Sequence, residues 1–373
     1  MGAASYRLKA LADALYSTGA EVEIMTSRPP KGSDPVSHPY RVRRWPVLRD
    51  PGGNVRGYVQ YLSFDIPLFF RLLFSRKADV VVVEPPPTTG LMVAVATALK
   101  LTPFVYFSAD VSSSAAKGIG VSGPILKVLT VLERLVLRQA KSIMAVSRGV
   151  EIEVSALIGG NDSIYNVGTG VDTTIFRLAG PNMEAEGKYF VYAGTMSEIQ
   201  GAGVFIDAFL SVAEDHPDVR LIIFGQGTEL EILRQRAAPA GSQIVFNPPA
   251  SGEIVATWLR SSVANLASVR PNKGYDFAFA TKALAGLSAG APAIYSGVGP
   301  LKDLIAANNL GKACDWDASE VAAAMREALV QPVDQGQRLQ ISDWVEENYS
   351  LTAVGRTAAG VVLAATGPAH CPG

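Results

Sequence analysis

Apolar positions along the chain switch between two periods. Arg7, Leu8, Ala10, Leu11, Ala14 and Leu15 recur at helical spacing up to Gly19, and Glu21-Val22-Glu23-Ile24-Met25 then alternates as a strand does. Continuous apolar runs follow at 79–83, 103–107 and 142–146, separated by helical stretches near 88–100 and 122–139. Strands covered on both faces need unbroken apolar runs, so this rhythm predicts βαβ units on a parallel sheet. A second series opens at 189–193 and continues at 220–224, 243–246, 264–267 and 291–295, with helical segments between, which implies a second doubly wound sheet. The Gly-, Pro- and Glu-containing stretch 179–188 is the natural linker.

A chain of 373 residues is long enough for two cores. The expected organisation is a first domain over 1–179, a second over 180–350, and a terminal helix with its tail over 351–373. Doubly wound domains usually open with a strand leading into a glycine-rich turn, whereas Gly2-Ala3-Ala4-Ser5 precedes the first helix with no strand before it. Either a strand lies upstream of Met1, lost through a misassigned start, which is the expectation, or the first sheet has lost a central strand.

Composition narrows the function. With 48% apolar and 18% charged residues spread along its length the chain is expected to fold. Two cysteines, Cys314 and Cys371, suggest neither a disulfide framework nor a zinc site, and His38, His216 and His370 lack ligand spacing, so no metal and no cofactor are expected. Net charge is −1, yet residues 1–180 carry 20 Lys and Arg against 14 Asp and Glu, while 181–373 carry 13 against 20. The basic half suits an anionic acceptor or membrane surface, although the densest cluster, Arg41, Arg43, Arg44 and Arg49, reads first as a charged strand edge that resists pairing. Nucleic-acid binding is not expected. The most apolar stretch, 61–74, is interrupted by Asp65, Pro67 and Arg71, so it is read as a helix buried against the sheet, with an interfacial helix ending at Arg76 and Lys77 as the alternative. Met1 to Ser5 lack a basic, apolar leader, which places the chain in the cytoplasm, with peripheral contact at the inner face of the membrane left open.

Ligands of open parallel sheets bind beyond the carboxyl ends of the strands. In the second half these positions are Gly194-Thr195-Met196-Ser197 with Gln200-Gly201, then Gly225-Gln226-Gly227, then Ser296-Gly297-Val298-Gly299. Small residues and free backbone N–H groups there suit a phosphate. Asp276 and Thr281-Lys282 precede another helix; Thr281 is read as its cap, and Lys282 with the helix N-terminus as positive charge for a diphosphate. In the first half Glu84 and Asp110 are the carboxylates that follow strands.

On these residues, together with Gly168-Thr169-Gly170-Val171-Asp172 through Phe176, Ala145-Val146-Ser147 and Gly290-Ala291-Pro292, the sequence resembles the retaining glycosyltransferases of family 4 from Gly2 to about Ala365. The resemblance implies a GT-B fold: α/β, two doubly wound Rossmann-like domains facing a cleft, here with the first strand apparently missing. It implies a nucleotide diphosphate sugar donor in the second domain, an acceptor in the first near Gly2, Ala3 and Ser5, and metal-independent transfer. It also implies that Asp110 lies beside the reacting sugar, with Glu84 orienting the acceptor, and that Gly194, Thr195, Gln200, Gly201, Gly225, Gly227, Asp276, Thr281 and Lys282 line the donor site. The family's paired glutamates, eight positions apart, fall on Phe277 and Ala285, and its basic pair on Thr195 and Gln200. The diphosphate load therefore shifts towards Lys282 and backbone N–H groups. A degenerate member that binds without turnover, and a nucleotide-sugar epimerase, are the competing readings. Two patterns are set aside: 118–123 matches a dinucleotide fingerprint without its strand–turn–helix context, and Asp317 or Ser319 in Asp315-Trp316-Asp317 is read as a helix cap.

Overall fold

In the computed structural model residues 3–29, 37–50, 55, 57–118, 121, 123–160, 163–273, 275–276 and 278–366 are described. Gly2, Gly274 and Phe277 lie outside them. The chain divides into two units, Met1–Gly168 with Val354–Gly373, and Thr169–Ala353.

The first unit runs α1 (Ala3–Ser17), β1 (Glu23–Ser27), β2 (Arg41–Trp45), α2 (Tyr58–Leu73), β3 (Val81–Val83) and α3 (Pro87–Leu99). It continues with β4 (Phe104–Ser108), α4 (Ser112–Gly118), α5 (Pro124–Gln139), β5 (Ser142–Ala145), α6 (Arg148–Ile158) and β6 (Ile164–Asn166). Its strands form two parallel sheets, β1-β2 and β3-β4-β5-β6. The arginine cluster lies on β2, where Arg41 and Arg43 pair with Glu23 of β1. β4 and β5 are buried at every position, as their unbroken apolar sequence requires.

The second unit runs β7 (Lys188–Ala193), α7 (Gly203–Asp215), β8 (Val219–Phe224), α8 (Leu230–Ala237), β9 (Ile244–Asn247) and α9 (Gly252–Ser261). Then come β10 (Ala264–Val269), α10 (Thr281–Ser288), β11 (Ala293–Gly297), α11 (Pro300–Ala307) and β12 (Gly311–Cys314). Helices α12 (Ala318–Val330), α13 (Gln335–Tyr349) and α14 (Leu351–Ala365) close the chain. All six strands pair in parallel in the order β12-β11-β10-β7-β8-β9. Strand order reverses beside β7, so its carboxyl end is the switch point where a crevice opens. Below it Phe190, Phe205, Phe209, Leu221 and Ile223 form a core with Val321 and Met325 of α12. Truncating one of these phenylalanines costs about 3–5 kcal/mol.

Segment 175–183 is held on the second unit by Arg260, whose guanidinium donates to the carbonyls of Ile175, Arg177 and Pro181. Helix α14, from Val354 on, packs on α1 of the first unit, where a Cβ at Gly355 would stand 2.5 Å from the carbonyl oxygen of Ala10. Among the described residues no helix is long and apolar enough to cross a membrane.

Candidate functional site

In the second unit the loops after β7 and β8 lie against each other. Gly194 N–H donates to Phe224 O and Met196 N–H to Gln226 O, each at 2.9 Å. A Cβ at Gly225 would stand 2.0 Å from Gly194 O, and one at Gly227 the same distance from Met196 O. These two glycines therefore let one backbone cross another, a role the strand-end pattern could not separate from phosphate contact. Gly201, at φ +56°, takes the left-handed conformation that glycine adopts freely, and a Cβ there would collide with the Trp316 ring. Trp316 also covers Gly297.

Beneath the Gly194 loop lies Lys282. Its Cε and Nζ would be 3.1 and 3.2 Å from a Cβ at Gly194, so the missing side chain makes room for the amine. Solvent reaches part of the residue, yet the amine itself sits deep among protein atoms, and this desolvation pulls its pKa down to about 7. Nζ donates to Tyr192 Oη at 2.7 Å, and Tyr192 Oη donates to Thr195 O at 2.9 Å. The amine also lies 4.3 Å from the Tyr192 ring centroid. Among the described residues Lys282 thus has a phenol against it and makes no ion pair with a carboxylate. Helix α10 begins one residue earlier at Thr281, adding the positive end of its dipole, while Thr281 N–H donates to Phe279 O and Ala283 N–H to Ala280 O.

The first unit builds a different cluster. Arg7 of α1 meets Glu84, which follows β3, through Nη2 at 2.7 Å and Nε at 2.8 Å, both side chains being 11% exposed. The Arg7 guanidinium lies 5.3 Å from the Phe107 ring centroid of β4. Asp110, two residues beyond β4, has a buried Oδ1 without a hydrogen-bond partner, and Ser108 Oγ holds its carbonyl at 2.9 Å. Burial raises the pKa of Glu84 and of Asp110; the Arg7 charge opposes the shift in both, and Ser112 bonding opposes it at Asp110. Glu133 of α5 accepts from Ser112 N and Ser113 N at 2.7 and 2.9 Å, capping α4 from a distance. The Tyr106 hydroxyl is buried in the same neighbourhood without a partner, and desolvation raises its pKa well above the ordinary range.

Residues 2–164 match the family described as Glycosyl transferase 4-like domain, and residues 187–331 match Glycosyl transferases group 1. The chain belongs to the GT-B glycosyltransferase family. Glycogen synthase of Mycobacterium tuberculosis is 25% identical over 252 residues, 66% of this glycosyltransferase-family chain and 59% of the relative. The chain thus spans about three fifths of that relative's length. Among solved structures, sucrose-phosphate synthase from Thermosynechococcus elongatus superposes with a TM-score of 0.73 at 15% identity, over 93% of this chain and 90% of that one. Anabaena HepE, solved in complex with UDP, gives 0.65 at 13% identity, over 87% and 86%. Both show the shared fold.

Within this glycosyltransferase fold the residues singled out from sequence divide. Gly194, Thr195, Gln200, Gly201 and Lys282 gather around the end of β7, with Thr195 exposed and the buried Gln200 Oε1 without a partner. Gly225 and Gly227 support that loop from beneath. Asp276 instead closes a local turn by accepting from Asn272 N–H at 3.0 Å. Thr281 is not the cap of α10: the cap is Ala280, which makes no side-chain bond, and Thr281 is the first helical residue. Asp317 does cap α12, accepting from Ser319 N and Glu320 N. In the first unit Ala3 and Ser5 are already in α1, not in a loop before it, because nothing in Ala3-Ala4-Ser5 opposes helix. Arg7, Tyr192 and Trp316 were missed as site residues. A charge within the apolar stripe of α1 was the available signal for Arg7; Trp316 lay in a stretch read only for its cap.

Proposed function

We propose that this chain transfers a sugar from a nucleotide diphosphate sugar bound on the second unit to a hydroxyl-bearing acceptor bound on the first, with retention at the anomeric carbon. The observation that carries the reading is Lys282, a desolvated amine under a glycine loop at the switch point of a parallel sheet. A diphosphate brings the negative charge that this amine lacks, and as the leaving group it gathers further charge when the bond to the sugar breaks. The helix α10 N-terminus shares that load with the N–H groups of the 194–201 loop other than those of Gly194, Met196 and Gly201, which already donate within the protein, so the transfer runs without a metal. HepE, the Anabaena neighbour, was solved with UDP, which makes UDP the first nucleotide to try.

Asp110 supplies a carboxylate whose free Oδ1 faces no protein donor, suited to a substrate hydroxyl and to the positive charge that develops on the sugar. Glu84, fixed by Arg7, orients the acceptor. The test is a thermal-shift panel of UDP-, GDP-, ADP- and dTDP-sugars followed by transfer assays. Wild type is expected to shift with one nucleotide series, since a ligand of the native state raises the midpoint. Asp110→Asn is expected to keep that shift and lose turnover. Lys282→Ala is expected to lose the shift. Equal loss of binding in both variants contradicts the division of roles.

A further inference from the structure

Helices α2, α3 and α5 pack side by side on the first unit. Asp65 of α2 bonds Thr89 of α3 at 2.6 Å, and Lys100 at the end of α3 donates to Leu72 O and Ser75 O at the end of α2. Gly90 of α3 lets Val136 of α5 approach closely. Their outward faces are apolar. On α2, Val59, Leu62, Ile66 and Phe70 recur every three or four residues and are exposed, and Phe74 follows at 80% exposure. On α5 the same spacing exposes Ile125, Val128, Val131 and Leu135, with Val128 and Val131 at 66% and 61%. Val95 and Leu99 of α3 lie between. More than half of the large apolar side chains exposed among the described residues belong to these helices and the residues that end them. Leu91 and Leu132 join Lys127, Val128, Val131 and Leu135 around an open trough of about 420 Å³.

The charge on this face has one sign. The two carboxylates of the three helices, Asp65 and Glu133, are buried at 0% and 2% exposure and bonded inward. The remaining charged side chains of the three helices are cationic: Arg71 turns to Arg43 O of β2, Arg134 and Arg138 donate to Leu157 O and Ile158 O at the end of α6, and Lys127 is exposed beside the trough. Arg76 and Lys77 follow α2, with Arg76 4.0 Å from Glu21. At 100° per residue Lys127, Arg134 and Arg138 form one flank of the α5 stripe rather than interrupting it. Apolar side chains flanked by cations match a bilayer, whose headgroups carry negative charge above hydrocarbon. A second copy across a two-fold axis would set the cations of α5 against each other, and the three helices expose no carboxylate to meet them.

We propose that the α2–α3–α5 face docks this chain on an anionic lipid surface. Salt weakens the basic flank while the apolar stripe holds the helices at the headgroup level, and the donor residues of the second unit take no part. The test is co-sedimentation of the full chain with vesicles of phosphatidylcholine alone or mixed with phosphatidylglycerol. The chain is expected to partition onto the mixed vesicles and to be released by salt. Val128→Asp with Val131→Asp, and separately Ile66→Ser, change exposed positions and are expected to lower partitioning about tenfold or more, with Lys127→Ala weaker in effect. Retention of the nucleotide-induced thermal shift, or in its absence of wild-type melting, identifies a folded variant. No partitioning onto anionic vesicles overturns the proposal, as does partitioning that neither lipid charge nor the folded variants alter. Self-association dissolved by the α5 variant, without vesicle binding, assigns the face to a second copy and also overturns it.

Discussion

In the first unit Arg7 has Glu84 against it and Asp110 nearby; in the second, among the described residues, Lys282 has the Tyr192 hydroxyl and no carboxylate paired with it. Both clusters lie past the carboxyl ends of parallel strands, and both are largely withdrawn from water. The first offsets buried charge with opposite charge, so a neutral, hydroxyl-rich ligand can enter without disturbing the balance. The second leaves its cation uncompensated and lets desolvation shift the proton off it, a cost that an anionic ligand removes. On the proposed function, complementarity to a diphosphate is stored in the second unit as reduced stability of the free protein.

The largest effect that would sharpen this contrast is expected at Lys282. Replacing it with Met removes the charge-assisted contact to a diphosphate, so UDP affinity is expected to fall about 100-fold by calorimetry. The same substitution removes a desolvated amine and is expected to raise folding stability by roughly 1–3 kcal/mol at neutral pH in chemical denaturation. A variant both weaker in binding and less stable would break the comparison, because Lys282 would then be an ordinary structural residue.

Arg7→Met comes next. It leaves Glu84 and Asp110 buried beside each other without a cation, at an expected cost of about 2–3 kcal/mol near neutral pH. That cost is expected to shrink as pH falls and the two carboxyls, whose pKa values burial raises, take up protons, and donor binding is expected to stay at the wild-type value. Loss of donor affinity in this variant would show that the two clusters do not divide the work as described.

The smallest effect is the sign of the pH response. Glu84 and Asp110 have raised pKa values in the folded chain, so between the ordinary carboxylate range and those raised values the folded state binds more protons than the unfolded one. Their contribution to stability is lost as pH rises through that window. Lys282 runs the other way. Its folded pKa of about 7 lies below the ordinary 10.5, so between them the unfolded state binds the extra proton and stability rises with pH. The stability gap between Lys282→Met and wild type is expected to close from pH 7 towards 10.5; a constant gap would contradict the assignment.

How much of this was legible in the sequence follows from the range of each interaction. The apolar runs at 79–83, 103–107 and 142–146 and the second series became β3, β4, β5, β7, β8, β9, β10 and β11 because buried parallel strands carry their signal within a few residues. Strands β6 and β12 escaped because each is short with partly exposed positions, as in Gly311-Lys312-Ala313-Cys314. Strand-end glycines and Lys282 were visible as residue types after strands. Their partners were not: Tyr192 meets Lys282 across 90 residues, and Arg7 meets Glu84 across 77. Asp276 and Thr281 were over-read because turn and cap positions draw on the same polar residue types as ligand sites.

The most direct measurement is calorimetric titration of UDP into the wild-type chain at pH 6.5 and 8.5, in buffers of differing ionisation enthalpy, with Lys282→Met alongside. If the second unit holds a diphosphate through Lys282, affinity is expected to fall by about tenfold or more from the lower to the higher pH. A proton is expected to be taken up on binding at pH 8.5, and both the pH dependence and the uptake are expected to vanish in Lys282→Met. Tight binding by Lys282→Met, or no proton uptake in wild type, would contradict the account.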